Sequence, residues 1–123
     1  MVILDTNIII DFLKGRERVI TELNRYPASE LAITFVNHYE LLKYRNRERL
    51  DAALENLTVF QSNTLAIRAS ANAYKLLKGR GKLISDNDLL IFGVCVANNE
   101  MLLTQDKAFE NLQDDRVIVI NND

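Results

Sequence analysis

Four acidic side chains of this 123-residue chain stand where short apolar runs give way to cap and turn residues. Asp5 follows Val2-Ile3-Leu4, and Glu40 lies six residues beyond Leu31-Ala32-Ile33-Thr34. Asp88 precedes the apolar stretch 89–97, and Asp106 comes two residues after Met101-Leu102-Leu103-Thr104. The three runs before Asp5, Glu40 and Asp106 are too short for helices and read as buried strands. In a parallel sheet, strand ends and the helix starts that follow them share one edge. The four acids can therefore meet where open α/β sheets bind their ligands. Carboxylates a few ångströms apart repel, so either their pKa values rise or a cation neutralises them. All-oxygen donors suit Mg²⁺ or Mn²⁺ and not Zn²⁺. The lone His38 and lone Cys95 supply no zinc set; they read as a surface or half-buried helix residue and a core residue.

Each acid also has a plainer reading. Asp at a strand-to-helix joint is a good N-cap, and Ser85-x-x-Asp88 resembles a capping box. Acids near helix N-termini are favoured by the macrodipole. Glu40 is harder to set aside, because a cap needs a short side chain. Thr6 reads as the cap of the first helix and Asn37 as the cap of the helix carrying Glu40. Asp86 competes for the third acidic position; Asp88 is preferred because the apolar run begins directly after it.

The elements that must position these acids alternate in type. Strand signals at Val2–Leu4, Leu31–Thr34, 59–60, Met101–Thr104 and 117–120 are separated by helical patterns at 8–14, 17–25, 37–56, 64–78, 87–98 and 107–112. This order predicts an α/β three-layer sandwich, a central, mostly parallel five-stranded sheet with helices on both faces. The segment 87–98 has no polar face and should be buried nearly all round, with Asn98-Asn99 as its left-handed stop. The pattern at 64–78 sets Leu65, Ala69, Ala73, Leu76 and Leu77 to one side, and should end before Gly79-Arg80-Gly81. No repeat or linker divides the chain, so residues 1–123 read as one domain.

Bulk composition excludes several classes. With 48% hydrophobic and 26% charged residues, one Pro and four Gly, the chain is an ordinary globular one. No apolar run approaches a membrane span, and the start lacks a basic leader, so no secretory signal is expected. One cysteine makes no internal disulfide, and the cytoplasm is the expected compartment. A net charge of −2 rules out bulk attraction to nucleic acid, yet ten of the 15 basic residues fall at 14–18, 43–49 and 78–82. The first closes the helix that follows Asp5, the second begins one turn after Glu40, and the third leads into Asp88.

Taken together, the motifs resemble a known family. Leu4-Asp5-Thr6-Asn7-Ile8-Ile9-Ile10-Asp11 resembles the opening of PIN-domain ribonucleases, especially the short VapC-like toxins of toxin–antitoxin pairs. Glu40-Leu41-Leu42 is similar to their second motif and Asp88-Leu89-Leu90-Ile91 to the third. Leu103-Thr104-Gln105-Asp106-Lys107-Ala108-Phe109 resembles the fourth, with its Thr-x-Asp and following Phe. The likeness runs in order along essentially the whole chain. Two departures are Lys43-Tyr44, where a small residue is common, and Phe92-Gly93-Val94, where paired Ala is common. They bear on partner contacts and helix packing, not on a carboxylate.

The resemblance implies a metal-dependent endoribonuclease, the toxin of a pair, with one or two Mg²⁺ or Mn²⁺ ions on Asp5, Glu40, Asp88 and Asp106. Glu40 would also orient or deprotonate a water, and Asn7 and Thr104 would hold a carboxylate or water by hydrogen bond. The partners it implies are RNA, a cognate antitoxin and a second copy of the chain in a homodimer. An acidic centre repels a polyanion, so binding needs cations at the rim. Lys14, Arg16, Lys43, Arg45, Lys78, Arg80 and Lys82 are the expected RNA contacts, while Tyr39, Tyr44 and Tyr74 read as packing residues. Two other readings compete. A phosphatase with Asp5 as nucleophile would want a second Asp where Asn7 stands. A PIN-like module that binds metal or RNA without cutting would keep the acids idle.

Overall fold

The sheet is built outward from its first strand. In this computed structural model, which describes residues 1–44 and 47–120 (side chains at 44, 47 and 49 apart), β1 (Val2–Leu4) lies in the middle. β2 (Leu31–Thr34) and β3 (Thr58–Phe60) lie to one side of it, β4 (Met101–Thr104) and β5 (Val117–Val119) to the other. The order is β3-β2-β1-β4-β5, and every pair is parallel. The expected mostly parallel sheet is thus parallel throughout.

Alternation along each strand feeds two apolar layers. Ile3, Ala32 and Leu102 pack with residues of α5 (Thr64–Arg80) and α6 (Asp86–Asn98). On the opposite face Val2, Leu4, Ile33 and Leu103 pack with α1 (Thr6–Leu13), α2 (Glu17–Leu23), α3 (Phe35–Tyr44) and α4 (Arg47–Leu54). The three-layer arrangement follows. Short 3₁₀ helices cover Ala28–Glu30 and Lys107–Leu112; the second was expected as an ordinary helical stretch. The single helix expected at 37–56 is two, α3 and α4, and residues 45–46 between them lie outside the described set. Among the described residues no helix is long and apolar enough to cross a membrane.

One helix differs from expectation in both its end and its face. α5 runs on through Gly79 to Arg80 and is closed by Gly81, whose φ of +67° is the left-handed stop that glycine tolerates. Its buried seam is Ala66, Ser70, Ala73 and Leu77, which leaves Leu65 and Leu76 exposed. The reason is a close approach to α6. A Cβ on Gly93 would meet Ser70 Oγ at 1.9 Å and the Ala66 carbonyl at 2.4 Å. The Ser70 hydroxyl lies between the carbonyls of Ala66 (3.0 Å) and Leu89 (2.8 Å), donating to one at a time. Small residues on the seam thus set the position of α6, and with it Asp88. The departure from paired Ala at Phe92-Gly93-Val94 has a packing cause. Cys95 is core as expected, its thiol pushed up to about 12 chiefly by burial, and His38 is half-buried on α3.

Candidate active site

Asp5 continues the ladder of β1, its N–H donating to the Leu103 carbonyl at 2.9 Å. Its carboxylate is buried, with two donors: the Thr6 N–H reaches Oδ1 at 2.8 Å and the Thr104 hydroxyl reaches Oδ2 at 2.7 Å. Asp5, and not Thr6, is therefore the cap of α1, which begins two residues earlier than the pattern predicts. Cap and site membership, which the sequence left as alternatives, coexist in one side chain. Thr104 also accepts the Asp106 N–H at 3.0 Å, so one buried hydroxyl ties two of the acids together. Asp106 is exposed and caps the 3₁₀ helix through the Ala108 N–H at 2.9 Å.

Glu40 hangs on a chain of contacts that the sequence did not disclose. α3 starts at Phe35 directly after β2, so Asn37 lies inside its first turn and is not the N-cap. The Asn37 N–H faces Thr34 Oγ1 at 3.4 Å while its side chain reaches back to Thr34, as in a capping box. It is fully buried. Its Oδ1 accepts the Thr34 N–H at 2.8 Å and the Thr34 hydroxyl at 2.7 Å. Its Nδ2 donates to Thr6 Oγ1 at 3.0 Å, and the Thr6 hydroxyl donates to Glu40 Oε1 at 2.8 Å. Asn87 Nδ2 faces Glu40 Oε2 at 3.4 Å. Thr6, Asn37 and Asn87 thus join the site; the only signal for them was their closeness in sequence to Asp5, Glu40 and Asp88.

Asp88 lies in the first turn of α6, its N–H donating to the Ser85 cap hydroxyl at 3.1 Å. It is half-buried, whereas Asp86 is exposed. The Asp88 carboxyl is pushed up to about 6, first by burial and then by the charge of Asp5, with Asp106 and Glu40 adding and Ser85 opposing. Asp5 is also raised, by burial and by Glu40 and Asp106, against the pull of Thr104 and Thr6. These carboxylates share one field, as acids on a common sheet edge must. The donor types fit a hard divalent cation. As the side chains stand, with three of the acids turned to their own donors, no three metal-ligating side chains among the described residues close around one point.

Beside the acids runs a groove of about 800 Å³ that includes Asn7, Arg16, Arg18, Asp106 and Lys107 in its walls. Of the expected RNA contacts among the described residues, only Arg16 lies in it. Lys14 is exposed as the C-cap of α1. Lys43 lies over the Tyr39 ring at 5.1 Å and Lys78 over the Tyr74 ring at 5.8 Å. Both rings are exposed, contrary to the packing role expected of them, and the Tyr44 side chain lies outside the described set. Arg80 donates to the Asn111 carbonyl at 2.7 Å, and Lys82 is exposed. Arg45 lies outside the described residues. Arg18 and Lys107 were not anticipated, although Lys107 directly follows Asp106.

Known proteins share this fold. The PIN domain family model matches residues 2–115. Ribonuclease VapC1 of Haemophilus influenzae (strain R2866) is 32% identical over 122 residues, covering 90% of this chain and 91% of the relative. Among solved structures, VapBC-1 from nontypeable Haemophilus influenzae superposes with a TM-score of 0.81 at 28% identity, covering 97% of this chain and 98% of that one. VapBC2 from Rickettsia felis, bound to a DNA fragment from its promoter, gives 0.80 at 26% identity over the whole of both chains. A parallel sheet with acids gathered at its carboxyl edge, matched by family model and by relatives over nearly its full length, places this chain in the PIN-domain family, among its VapC-like members.

Proposed function

We propose that the chain is an endoribonuclease that hydrolyses RNA phosphodiester bonds with Mg²⁺ or Mn²⁺, and that it is the toxin of a toxin–antitoxin pair. The observation that carries this reading is that Asp5, Glu40, Asp88 and Asp106 share one edge of the sheet, Asp5 and Asp106 tied to one Thr104 hydroxyl. The carboxyls of Asp5 and Asp88 are raised first by burial and further by the charge of the other acids. The name of its 32%-identical relative points the same way. One or two hard cations held by Asp5, Glu40, Asp88 and Asp106 would offset that repulsion, polarise a phosphoryl oxygen and acidify a water. Glu40, whose nearer oxygen already accepts from Thr6, takes the proton of the attacking water. Thr104 fixes the plane of the Asp5 carboxylate. Asn7, exposed beside Asp106 in the groove, orients water or substrate with its amide.

The substrate strand follows the groove past Arg16, Arg18 and Lys107, which meet its phosphates. A volume of that size suits a short stretch of one strand and not a duplex. Lys14, Lys43, Lys78 and Lys82 form an outer rim, while Arg80 stays on Asn111. Exposed Phe12, Tyr39 and Leu42 on α1 and α3, and Leu65, Ile67 and Leu76 on α5, offer apolar surface to an antitoxin and to a second copy of the chain. The compartment of this reading is the cytoplasm.

The test is cleavage of several RNAs, tRNA included, with Mn²⁺ and with chelator. Cutting that needs the cation and disappears in Asp5→Asn and Asp88→Asn supports the reading. RNA left intact in Mn²⁺ across all substrates overturns it. A second reading, a module that binds RNA without cutting, draws on the lack of a closed ligand shell among the described residues. Retained RNA affinity with no cleavage favours that one.

A further inference from the structure

Asn37 lies wholly inside the protein, yet its amide leads to Glu40. We propose that Asn37 is a positioning residue that, through the Thr6 hydroxyl, fixes the orientation of the Glu40 side chain; the catalytic part of this rests on the nuclease reading above. The direction of the contacts carries the inference. A main-chain N–H only donates, so the Asn37 atom 2.8 Å from the Thr34 nitrogen is the carbonyl oxygen, to which the Thr34 hydroxyl also donates. The other end of the amide, an NH₂ that only donates, then faces Thr6 Oγ1 at 3.0 Å. The Thr6 oxygen receives that bond and turns its single proton along the 2.8 Å contact to Glu40 Oε1. Oε2 faces a second donor, the Asn87 amide.

Both oxygens of Glu40 therefore meet donors, which fixes the orientation of its carboxyl group. The polarity starts at a peptide group of β2 and cannot be reversed by rotating a hydroxyl. Asn37 touches neither groove nor solvent, so it acts only through Thr6. Ala or Leu at position 37 would leave the Thr34 donors and the Thr6 acceptor without partners. Ser or Thr is too short to span from Thr34 to Thr6. An amide, with acceptor and donor back to back, does both.

The experiment compares Thr6→Val, Thr6→Ser, Asn37→Ala and the Thr6→Val/Asn37→Ala double variant in Mn²⁺-dependent RNA cleavage, with folded fraction checked by thermal melting. Thr6→Val should lower kcat roughly 10- to 100-fold, the usual effect of losing a partner behind a catalytic group, with KM little changed. Thr6→Ser should keep most of kcat. Asn37→Ala should lower kcat per folded molecule, and the double variant should be no slower than Thr6→Val alone. A Thr6→Val enzyme with wild-type kcat overturns the proposal, as does multiplication of the two single effects in the double variant. If Asn37→Ala does not fold, the Thr6 pair still decides.

Proton NMR supplies a readout that does not depend on cleavage: a Thr6 hydroxyl proton slow to exchange in the wild type and fast in Asn37→Ala or, should that variant not fold, in Asn37→Ser. Wild-type protein that cuts no RNA but keeps the protected hydroxyl would sink the nuclease reading alone. Active protein whose Thr6 hydroxyl exchanges freely would sink the relay alone.

Discussion

Asp88 shows how a single carboxyl couples the site to stability. Its folded value of about 6 lies above the ordinary 3.8, so the native state binds its proton more tightly than the unfolded chain does. The metal-free protein should therefore lose stability as pH rises from about 4 to about 6, with no further loss from this group above that. The raised Asp5 adds in the same direction. Asp88→Asn should flatten the slope and raise metal-free stability at pH 7 by roughly 1–2 kcal/mol, a figure already discounted for solvent reaching this half-buried group. Denaturant midpoints of both proteins at pH 4.5 and 7 check this; parallel slopes would contradict it. A cation competes with those protons. Mn²⁺ at 100 times its Kd should stabilise the wild type by about 2–3 kcal/mol at pH 7.5, and much less at pH 5, as melting curves would show. At this scale the sequence was informative about the acids, because an acid after an apolar run is visible letter by letter. It did not reveal the roles of Asn37 and Thr6, because the direction of a hydrogen bond between side chains 31 residues apart is a property of the folded geometry.

Among the elements, the α5–α6 pair holds the third acid in place. Gly93→Ala puts a methyl group where Ser70 and the Ala66 carbonyl already are, and should cost about 3 kcal/mol or more, near the upper end for overpacking. Ser70→Ala on the same background should recover only part of that, because the carbonyl remains in the way and the bond to Leu89 is lost. Chemical denaturation of the two single variants and the double variant measures the coupling; full rescue by Ser70→Ala would contradict this account. The helix at 64–80 was legible in type but only partly in facing. Ala73 and Leu77 are buried as the pattern placed them, but Leu65 and Leu76, which looked like the same core side, are exposed, and Ala66 and Ser70 are buried because smallness allows a close approach. Apolar pattern alone does not see that contest. Gly81 ended the helix where glycine can adopt a positive φ, and Gly79, helical within it, did not.

At the scale of the whole molecule, charge is laid out unevenly around the acidic edge. Arg16, Arg18 and Lys107 share the groove wall with Asp106, while Arg80 is fastened to Asn111. Replacing the three groove cations with Gln should reduce the slope of log affinity for single-stranded RNA against log salt by about 2. Arg80→Gln should leave that slope unchanged and cost about 1 kcal/mol of stability. Anisotropy titrations at several salt concentrations separate the two, and an equal loss of slope in both variants would contradict the assignment. The alternation of strands and helices disclosed the layers of this fold, but not which basic residues would turn inward to the protein and which outward to solvent. The order β3-β2-β1-β4-β5 has a further consequence. With the first strand at the centre, Asp5 waits for a hydroxyl 99 positions further along, on a strand that must dock beside it before the edge is complete. On the nuclease reading, a growing polypeptide that still lacks β4 has neither the Thr104 hydroxyl nor Asp106, and its acidic edge is incomplete.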